Sequence, residues 1–253
     1  MKSNYSKGVL LITLTFFLII VSAGCERQEE VAPEPVKNEF VDGTYTGFSD
    51  ATDNGYAWAR VTIEDDKITD VKLMEITSKG NEKDYETYSY EASVEAQQEM
   101  PDRFVEANSA KVDNYTGATH SSEKYKEAVS RALDYARGEE EDGKYYDGKF
   151  QGESERTEYG YAVALVTIVD DKMNNVELQE LDGEGEWKDF DNYDYEPAVE
   201  ANEEMAERFV EENSVAVDLY TEATQSSIRY KEAVENALRH ARRDPAMDVE
   251  EAE

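Results

Sequence analysis

The chain has 253 residues, of which 59 are acidic and 26 are Lys or Arg, and its formal net charge is −33. This charge excludes a protein that binds the nucleic-acid backbone, because such proteins need clustered positive charge to displace counterions. It also argues against electrostatic binding to anionic lipid. The 17 Tyr, 8 Phe and 2 Trp are too many aromatic residues for a disordered acidic tail, so the chain is expected to fold. A single cysteine excludes an internal disulfide and a Cys-based zinc site.

The N-terminus has the layout of a secretory signal. Lys2 and Lys7 precede an apolar run over residues 9–21, which is short for a membrane span of roughly 20 residues. The run ends in Ser-Ala-Gly-Cys25, which resembles a bacterial lipobox except that serine replaces the usual leucine. We predict a lipoprotein signal over residues 1–24, with Cys25 as the lipid anchor and the folded part on the extracytoplasmic face of the cell membrane. A plain signal peptide and an uncleaved anchor are the alternatives.

The remainder of the chain contains an internal repeat. Residues 42–137 recur as residues 147–242 at a constant offset of 105, without a gap and with about half of the positions identical. A unit of this length exceeds a solenoid repeat and fits a duplicated small domain. We call residues 42–137 repeat 1 and residues 147–242 repeat 2. Three connecting segments complete the predicted organisation: an acidic, proline-containing tether over 25–41, a linker over 138–146 and an acidic tail over 243–253.

Each repeat begins with a predicted antiparallel meander. A short strand over Gly43–Gly47 precedes Tyr56–Ile63, where apolar residues alternate with polar or larger ones as in a half-buried strand. Its copy keeps alanines and β-branched residues on one face of Tyr161–Ile168. Asp65-Asp66-Lys67 supplies a turn, and the apolar residues from Ile68 onward predict a returning strand.

Two helices follow the meander in each repeat. Glu196–Asn213 has helical apolar spacing with Pro197 in the first turn, where proline is tolerated. Pro101 interrupts the matching stretch of repeat 1 and predicts a kinked or split helix there. A second helix over Glu123–Arg137 carries one apolar stripe, formed by Tyr125, Ala128, Val129, Ala132, Leu133 and Ala136. We therefore predict the α+β fold class for each of the two repeats.

The segment between the two helices of repeat 1 is rich in small and hydroxyl residues. Thr116-Gly117-Ala118-Thr119 leads into a helix with Ser121 or Ser122 as the predicted N-cap. A helix N-terminus offers unpaired N–H groups and partial positive charge to a phosphate. Gly117 allows close backbone approach or a positive φ. A purely structural cap is the alternative that these residues alone leave open.

The stretch Asp113-x-x-Thr116-Gly117-Ala118-Thr119, followed by Ser121-Ser122, resembles the flavinylation motif of the FMN-binding domain family. That family includes subunits of the sodium-pumping quinone reductase and Rnf complexes, and extracytosolic flavoprotein lipoproteins. The resemblance implies that Thr119 bonds through its hydroxyl to the FMN phosphate, installed from FAD by an extracytoplasmic flavin transferase with a magnesium ion. It also implies that Asp113, Thr116, Gly117 and Ala118 are read by the transferase and line the phosphate end of the site.

Repeat 2 departs from this motif at one position. Its sequence is Asp218-Leu-Tyr-Thr221-Glu222-Ala223-Thr224, with Glu222 in place of Gly117. Glutamate adds a negative charge beside the phosphate and a Cβ where a positive φ is needed. We therefore expect Thr224 to be modified less efficiently than Thr119, or not at all.

The other candidate residues give weaker indications. His120 and His240 have no histidine copies, so we expect neither a metal site nor a catalytic pair from them. Asp65-Asp66 could bind a hard cation, although a turn role is favoured. Tyr56 and Trp58 could stack on the isoalloxazine ring, with ordinary packing as the alternative.

These observations together predict an extracytoplasmic, lipid-anchored redox carrier. Electrons would pass from a membrane quinone-linked donor through FMN to an extracytoplasmic acceptor, and the acidic surface would lower the flavin potential within the limits of screening. An electron-transfer protein is favoured over an enzyme with its own substrate. The alternatives are a surface lipoprotein without flavin, with a structural or ligand-binding role, and an envelope reductase acting on a small molecule.

Overall fold

The structure is a computed structural model that describes residues 39–138 and 142–244. The predicted signal, Cys25 and most of the tether lie outside the described residues, as do residues 139–141 of the linker and 245–253 of the tail. Among the described helices, none combines the length and the apolar character that a membrane crossing requires.

Each repeat contains a three-stranded antiparallel sheet and two long α-helices, which confirms the predicted α+β class. The elements of repeat 1 are β1 (Gly43–Phe48), β2 (Tyr56–Glu64), β3 (Lys67–Ile76), α1 (Glu91–Ala107) and α2 (Thr119–Arg137). Those of repeat 2 are β4 (Gly148–Glu153), β5 (Tyr161–Val169), β6 (Lys172–Leu181), α3 (Glu196–Glu212) and α4 (Thr224–Ala241). A short 3₁₀ turn over Phe190–Asn192 precedes α3.

The strands form the predicted meander in the order β1-β2-β3, and β4-β5-β6 repeats it. Asp65 and Asp66 both have positive φ angles, of 52° and 65°, as a tight hairpin turn requires. Asp66 Oδ1 also accepts a hydrogen bond from the Phe40 amide at 2.8 Å. Within the described residues no cluster of acidic and histidine side chains could hold a metal ion. The turn role predicted for these aspartates is confirmed.

The helices cover one face of each sheet. In β2 the small apolar residues Ala57, Ala59 and Val61 are completely buried and form one core cluster with α1 and α2. A Cβ placed on Gly47 of β1 would lie 2.2 Å from the carbonyl oxygen of Ala128, so only glycine allows this approach of strand and helix. The backbones of β1 and α2 therefore approach closely at the middle of the helix.

The helix boundaries differ from the predictions at two places. The apolar stripe predicted for α2 is confirmed, because all six of its residues are at most 1% exposed. However, α2 begins at Thr119 rather than at Glu123, with Ala118 at the N-cap. The predicted N-cap role of Ser121 or Ser122 is thus wrong. The helix α1 runs through Pro101 without a break, so of the predicted kink or split the split is wrong, and the kink stays a prediction.

The two repeats pack against each other within one compact unit. The amide of Ala51, just after β1, donates to the carbonyl of Lys149 in β4 at 2.6 Å. The ring of Phe48 stacks on that of His240, with centroids 4.0 Å apart. This packing joins the sheet of repeat 1 to the sheet and last helix of repeat 2.

His240 lies at the centre of this contact. Its Nδ1 is 2.7 Å from the carbonyl oxygen of Gln151, and burial lowers its pKa to about 4. His240 therefore has a packing role that the lack of a histidine copy in repeat 1 did not indicate. The other histidine, His120, is exposed.

Candidate functional site

The motif of repeat 1 forms a tight turn that leads directly into α2. The Ala118 amide donates to the Tyr115 carbonyl at 3.0 Å, and Gly117 has φ +85° at the third position of this turn. A positive φ at that position is typical of a type II turn and favours glycine. The expectation that Gly117 adopts a positive φ is confirmed. A Cβ there would also lie 3.2 Å from the Ala92 Cβ.

Thr119 is the first residue of α2, and it is exposed. The N-cap Ala118 makes no side-chain capping hydrogen bond, so the first-turn N–H groups have no side-chain acceptor. Such N–H groups lack intrahelical partners and point out of the helix end, where they favour an anion. The turn therefore presents an accessible hydroxyl beside an uncapped helix N-terminus.

The two serines of the motif lie behind this surface rather than on it. Ser122 is completely buried, accepts from the Tyr115 amide at 2.9 Å and donates to the Ala118 carbonyl at 2.8 Å. Ser121 is 8% exposed, with its Oγ 3.1 Å from the Oγ of Ser93. Ser122 thus holds the turn closed, whereas Ser121 connects the first turn of α2 to α1.

The other motif residues surround the turn at the surface. Asp113 and Thr116 are exposed, and the Asp113 carbonyl accepts from Arg103. Tyr90, the N-cap of α1, donates its hydroxyl to the Gly117 carbonyl at 2.6 Å.

Asn114 Oδ1 is buried and accepts no hydrogen bond from the described residues. A buried acceptor without a donor is costly, so this atom suits a donor group from a ligand or water.

A buried cluster of charges lies beneath the turn. Glu75, at the end of β3, is 5% exposed, and its carboxylate accepts from Lys124 at 2.6 Å and from Lys83 at 3.3 Å. Tyr125 adds a hydrogen bond to Glu75 at 3.1 Å. Burial by itself would raise the pKa of Glu75, but the pairs with Lys124 and Lys83 and a hydrogen bond from Ser121 hold it below its ordinary value. We call Glu75, Lys83 and Lys124 the lysine cluster; it contains two cations and one anion.

Our sequence reasoning did not identify the lysine cluster, although the strand pattern contained a signal for it. Val71, Leu73 and Glu75 occupy alternate positions of β3, which point to the same face of the sheet. A glutamate in register with buried apolar residues must find cationic partners. Its copy Glu180 occurs in the same register of β6.

Repeat 2 reproduces the backbone of the site with different side chains. Glu222 has φ +68°, and Tyr195 donates to its carbonyl at 2.6 Å, as Tyr90 does to Gly117. Thr224 is exposed at the first position of α4, and the N-cap Ala223 again makes no side-chain cap. Asp218 and Thr221 are exposed like their copies. The glutamate therefore occupies the strained, positive-φ position that we predicted for it.

Neither of two surface clefts contains the motif. One of about 570 Å³ lies along α3 and is lined mainly by glutamates, and one of about 410 Å³ lies beside β1 and α4. The aromatic residues proposed for ring stacking are also elsewhere. Tyr56 is 5% exposed and packs with Trp58 in a separate apolar cluster that Leu165 of repeat 2 contacts. Packing is therefore the role that the structure gives to Tyr56.

The residues at the turn fit a phosphate group. An exposed hydroxyl, uncapped N–H groups and a glycine at positive φ meet at Thr119. The nearby buried cations lie on the same side of α2, where they reduce the repulsion that a strongly acidic chain exerts on an anion. Within the described residues, this combination occurs in full only in repeat 1, because Glu222 replaces the glycine in repeat 2.

Comparison with known proteins gave a family match and a structural match. Residues 54–134 match the family model described as FMN-binding domain. The crystal structure of the CPE2226 protein from Clostridium perfringens is 26% identical, over 39% of this chain and 90% of that chain, with a TM-score of 0.35. The search of curated proteins found no match.

Proposed function

We propose that the protein is an extracytoplasmic flavoprotein that carries FMN covalently on Thr119, because residues 54–134 match the FMN-binding domain family model. It would be anchored to the cell membrane through a lipid on Cys25. It would pass electrons from a membrane quinone-linked donor to an extracytoplasmic acceptor. The family match covers repeat 1, which contains the complete motif.

The observation that carries the proposal is the position of Thr119. Its hydroxyl is exposed at the first position of an uncapped helix, directly after a turn that only glycine adopts without strain. Both features suit a hydroxyl that becomes bonded to a phosphorus atom. An open N-terminus and a positive φ also precede Thr224, but there a glutamate takes the positive φ and adds a negative charge.

The attachment step balances with FAD as the donor. The Thr119 Oγ forms a bond to the phosphorus atom nearest the riboflavin, and the anhydride bond to the AMP part breaks. AMP leaves with the bridging oxygen, and the hydroxyl proton passes to the transferase or to water. The product is a phosphodiester with one negative charge, placed beside the N–H groups of α2. A flavin transferase is therefore a required partner of this protein.

Electron transfer is the use that best fits a tethered flavin at a protein surface. When bound, FMN supplies one- and two-electron chemistry, and the protein positions it and tunes its potential. Covalent attachment retains the cofactor outside the cell, where a dissociated flavin would diffuse away.

We propose that repeat 2 does not accept a flavin efficiently. The Glu222 carboxylate adds negative charge where the phosphate would bind, and its φ of +68° is strained for a residue with a Cβ. Repeat 2 would then serve as a structural partner whose sheet and last helix pack on repeat 1.

Intact-mass analysis after co-expression with a flavin transferase tests this proposal. We expect one FMN adduct and one lipid modification on the mature wild-type protein, and a yellow colour that survives denaturation and gel filtration. Thr119→Ala should remove the adduct, whereas Thr224→Ala should leave it in place. Protein that stays colourless and unmodified in the presence of an active transferase would contradict the flavoprotein proposal and favour a lipoprotein without flavin.

A further inference from the structure

The lysine cluster has one more positive charge than negative charge. Lys83 and Lys124 are 11% and 9% exposed at their side chains, and both pair with the single carboxylate of Glu75. A buried excess charge is unfavourable unless another anion compensates it. Repeat 2 has a similar excess, because Lys188 and Arg229 lie 2.5 and 3.8 Å from Glu180, so the excess charge alone does not distinguish the two repeats.

A chain of hydroxyl groups connects this excess charge to the first turn of α2. The Lys83 ammonium donates to the Ser93 Oγ at 2.9 Å, and Ser93 is 3.1 Å from the Ser121 Oγ. Ser121 is the third residue of α2, two positions after Thr119. The amide of the third residue is one of the uncapped N–H groups at the helix end. Lys83 is thus two hydrogen bonds away from the group that would face a phosphate on Thr119.

Lys83 is less firmly paired with its carboxylate than its copy in repeat 2. It lies 3.3 Å from Glu75, whereas Lys188 lies 2.5 Å from Glu180. The two repeats also differ at the neighbouring position, because Ala198 replaces Ser93 and has no hydroxyl to accept from the lysine. Ser226, the copy of Ser121, hydrogen-bonds Glu180 as Ser121 does Glu75, but Ala198 offers no hydroxyl that could link it to Lys188.

This inference rests on the proposed attachment of FMN to Thr119. We propose that Lys83 and Ser93 are positioning residues that place a buried positive charge behind the N-terminus of α2 and thereby stabilise the anionic phosphodiester at Thr119. Ala198 is then a second reason, independent of Glu222, why repeat 2 is a poor acceptor. Replacing Glu222 by glycine does not by itself restore the site.

The loss-of-function test compares rates of flavin attachment in repeat 1. With purified transferase and FAD, Ser93→Ala and Lys83→Gln should slow adduct formation at Thr119 about tenfold, the effect of one hydrogen bond to a charged group. Lys83→Arg should retain most of the rate because it keeps the charge. Lys188→Gln removes the matching lysine from repeat 2 and should leave the Thr119 rate unchanged. Thermal melts of each variant show whether the fold is retained.

The gain-of-function test uses repeat 2 in a Thr119→Ala background, so that only Thr224 can react. Glu222→Gly alone should give slow attachment, and Glu222→Gly with Ala198→Ser should give attachment about tenfold faster. The proposal is overturned if folded Ser93→Ala reacts at the wild-type rate, or if Ala198→Ser adds nothing to Glu222→Gly. An absence of any adduct on the wild-type protein would instead contradict the proposed function itself.

Discussion

Repeat 1 and repeat 2 share a backbone but differ in the side chains around one helix N-terminus. Both have an uncapped first turn with an exposed threonine, and in both a tyrosine hydroxyl binds the carbonyl of the positive-φ residue. Only repeat 1 has glycine at that residue and a serine between the buried lysine and the helix. Under the proposed function, the fold would supply the position of the site, and two or three side chains would decide whether it can hold an anion.

The largest expected loss of stability comes from neutralising the buried carboxylate that each repeat contains, Glu75 in repeat 1 and Glu180 in repeat 2. Glu75→Gln leaves Lys83 and Lys124 without an anion and should lower the free energy of unfolding by about 3–5 kcal/mol. Glu180→Gln should have a similar effect in repeat 2. Urea unfolding of the two variants measures this. A negligible loss for either variant would contradict the view that both carboxylates stabilise the fold in the same way.

The pH dependence of that effect has a defined sign. Because the pKa of Glu75 is lowered in the folded state, its stabilisation is complete above the ordinary carboxyl pKa of about 4.5 and is lost as the pH falls through the lower folded value. The difference between wild type and Glu75→Gln should therefore shrink below that pH. A difference that grew on acidification would show that Glu75 is not held in its charged form.

The next expected effect compares the two copies of the first helix. Pro101 in α1 occupies the position of Ala206 in α3, and both helices have 17 residues. Ala206→Pro should destabilise repeat 2 by about 3 kcal/mol, because proline lacks the amide hydrogen and clashes with the preceding turn. Pro101→Ala should stabilise repeat 1 by about 2 kcal/mol, because the restored helical hydrogen bond and the relieved clash outweigh the entropy that the unfolded chain gains. Denaturation midpoints measure both changes, and a stability loss for Pro101→Ala would contradict this account.

The contact between the repeats should weaken in acid because of His240. Its folded pKa of about 4 lies below the ordinary value of 6.5, so its contribution is complete above pH 6.5 and is lost as the pH falls towards 4. The loss at pH 4 is on the order of 3 kcal/mol. His240→Gln should remove this part of the pH dependence, whereas the matched variant of exposed His120, His120→Gln, should retain it. Thermal stability measured between pH 7 and 4 separates the two outcomes.

The smallest expected change in the free energy of unfolding comes from relieving or adding backbone strain at the turn. Glu222→Gly should raise the free energy of unfolding by up to about 1 kcal/mol, because an L-residue with positive φ is strained. Gly117→Glu should lower it by a similar amount and should also abolish flavin attachment. Chemical denaturation measures the first effect and intact mass the second. A Gly117→Glu protein that still carried flavin would show that the glycine is not a determinant of the site.

Much of the fold could be predicted because its signals are local. The alternation in β2 and the stripe in α2 each follow from a burial pattern with a fixed period. The hairpin aspartates and the positive φ of Gly117 follow from the conformational preferences of those residues. Because the repeats are related by a constant offset, each prediction for repeat 1 also applied to the matching residues of repeat 2.

The errors arose where tertiary packing decides the outcome. Two serines suggested an N-cap, but Ser122 is drawn inward to hold the turn, and α2 starts at Thr119. In α1, packing of Met100 and Phe104, which are completely buried, keeps the helix continuous through Pro101. The contact of His240 with Phe48 depends on how the repeats pack, which no local pattern contains.

Peptide mapping by mass spectrometry tests the central claim most directly. The full chain is produced with a flavin transferase, digested, and searched for an FMN phosphodiester on the peptides that contain Thr119 and Thr224. We expect the modification on the Thr119 peptide at close to full occupancy and little or none on the Thr224 peptide. Equal modification of both peptides would contradict the asymmetry between the repeats, and an unmodified Thr119 peptide would contradict the assignment of the site.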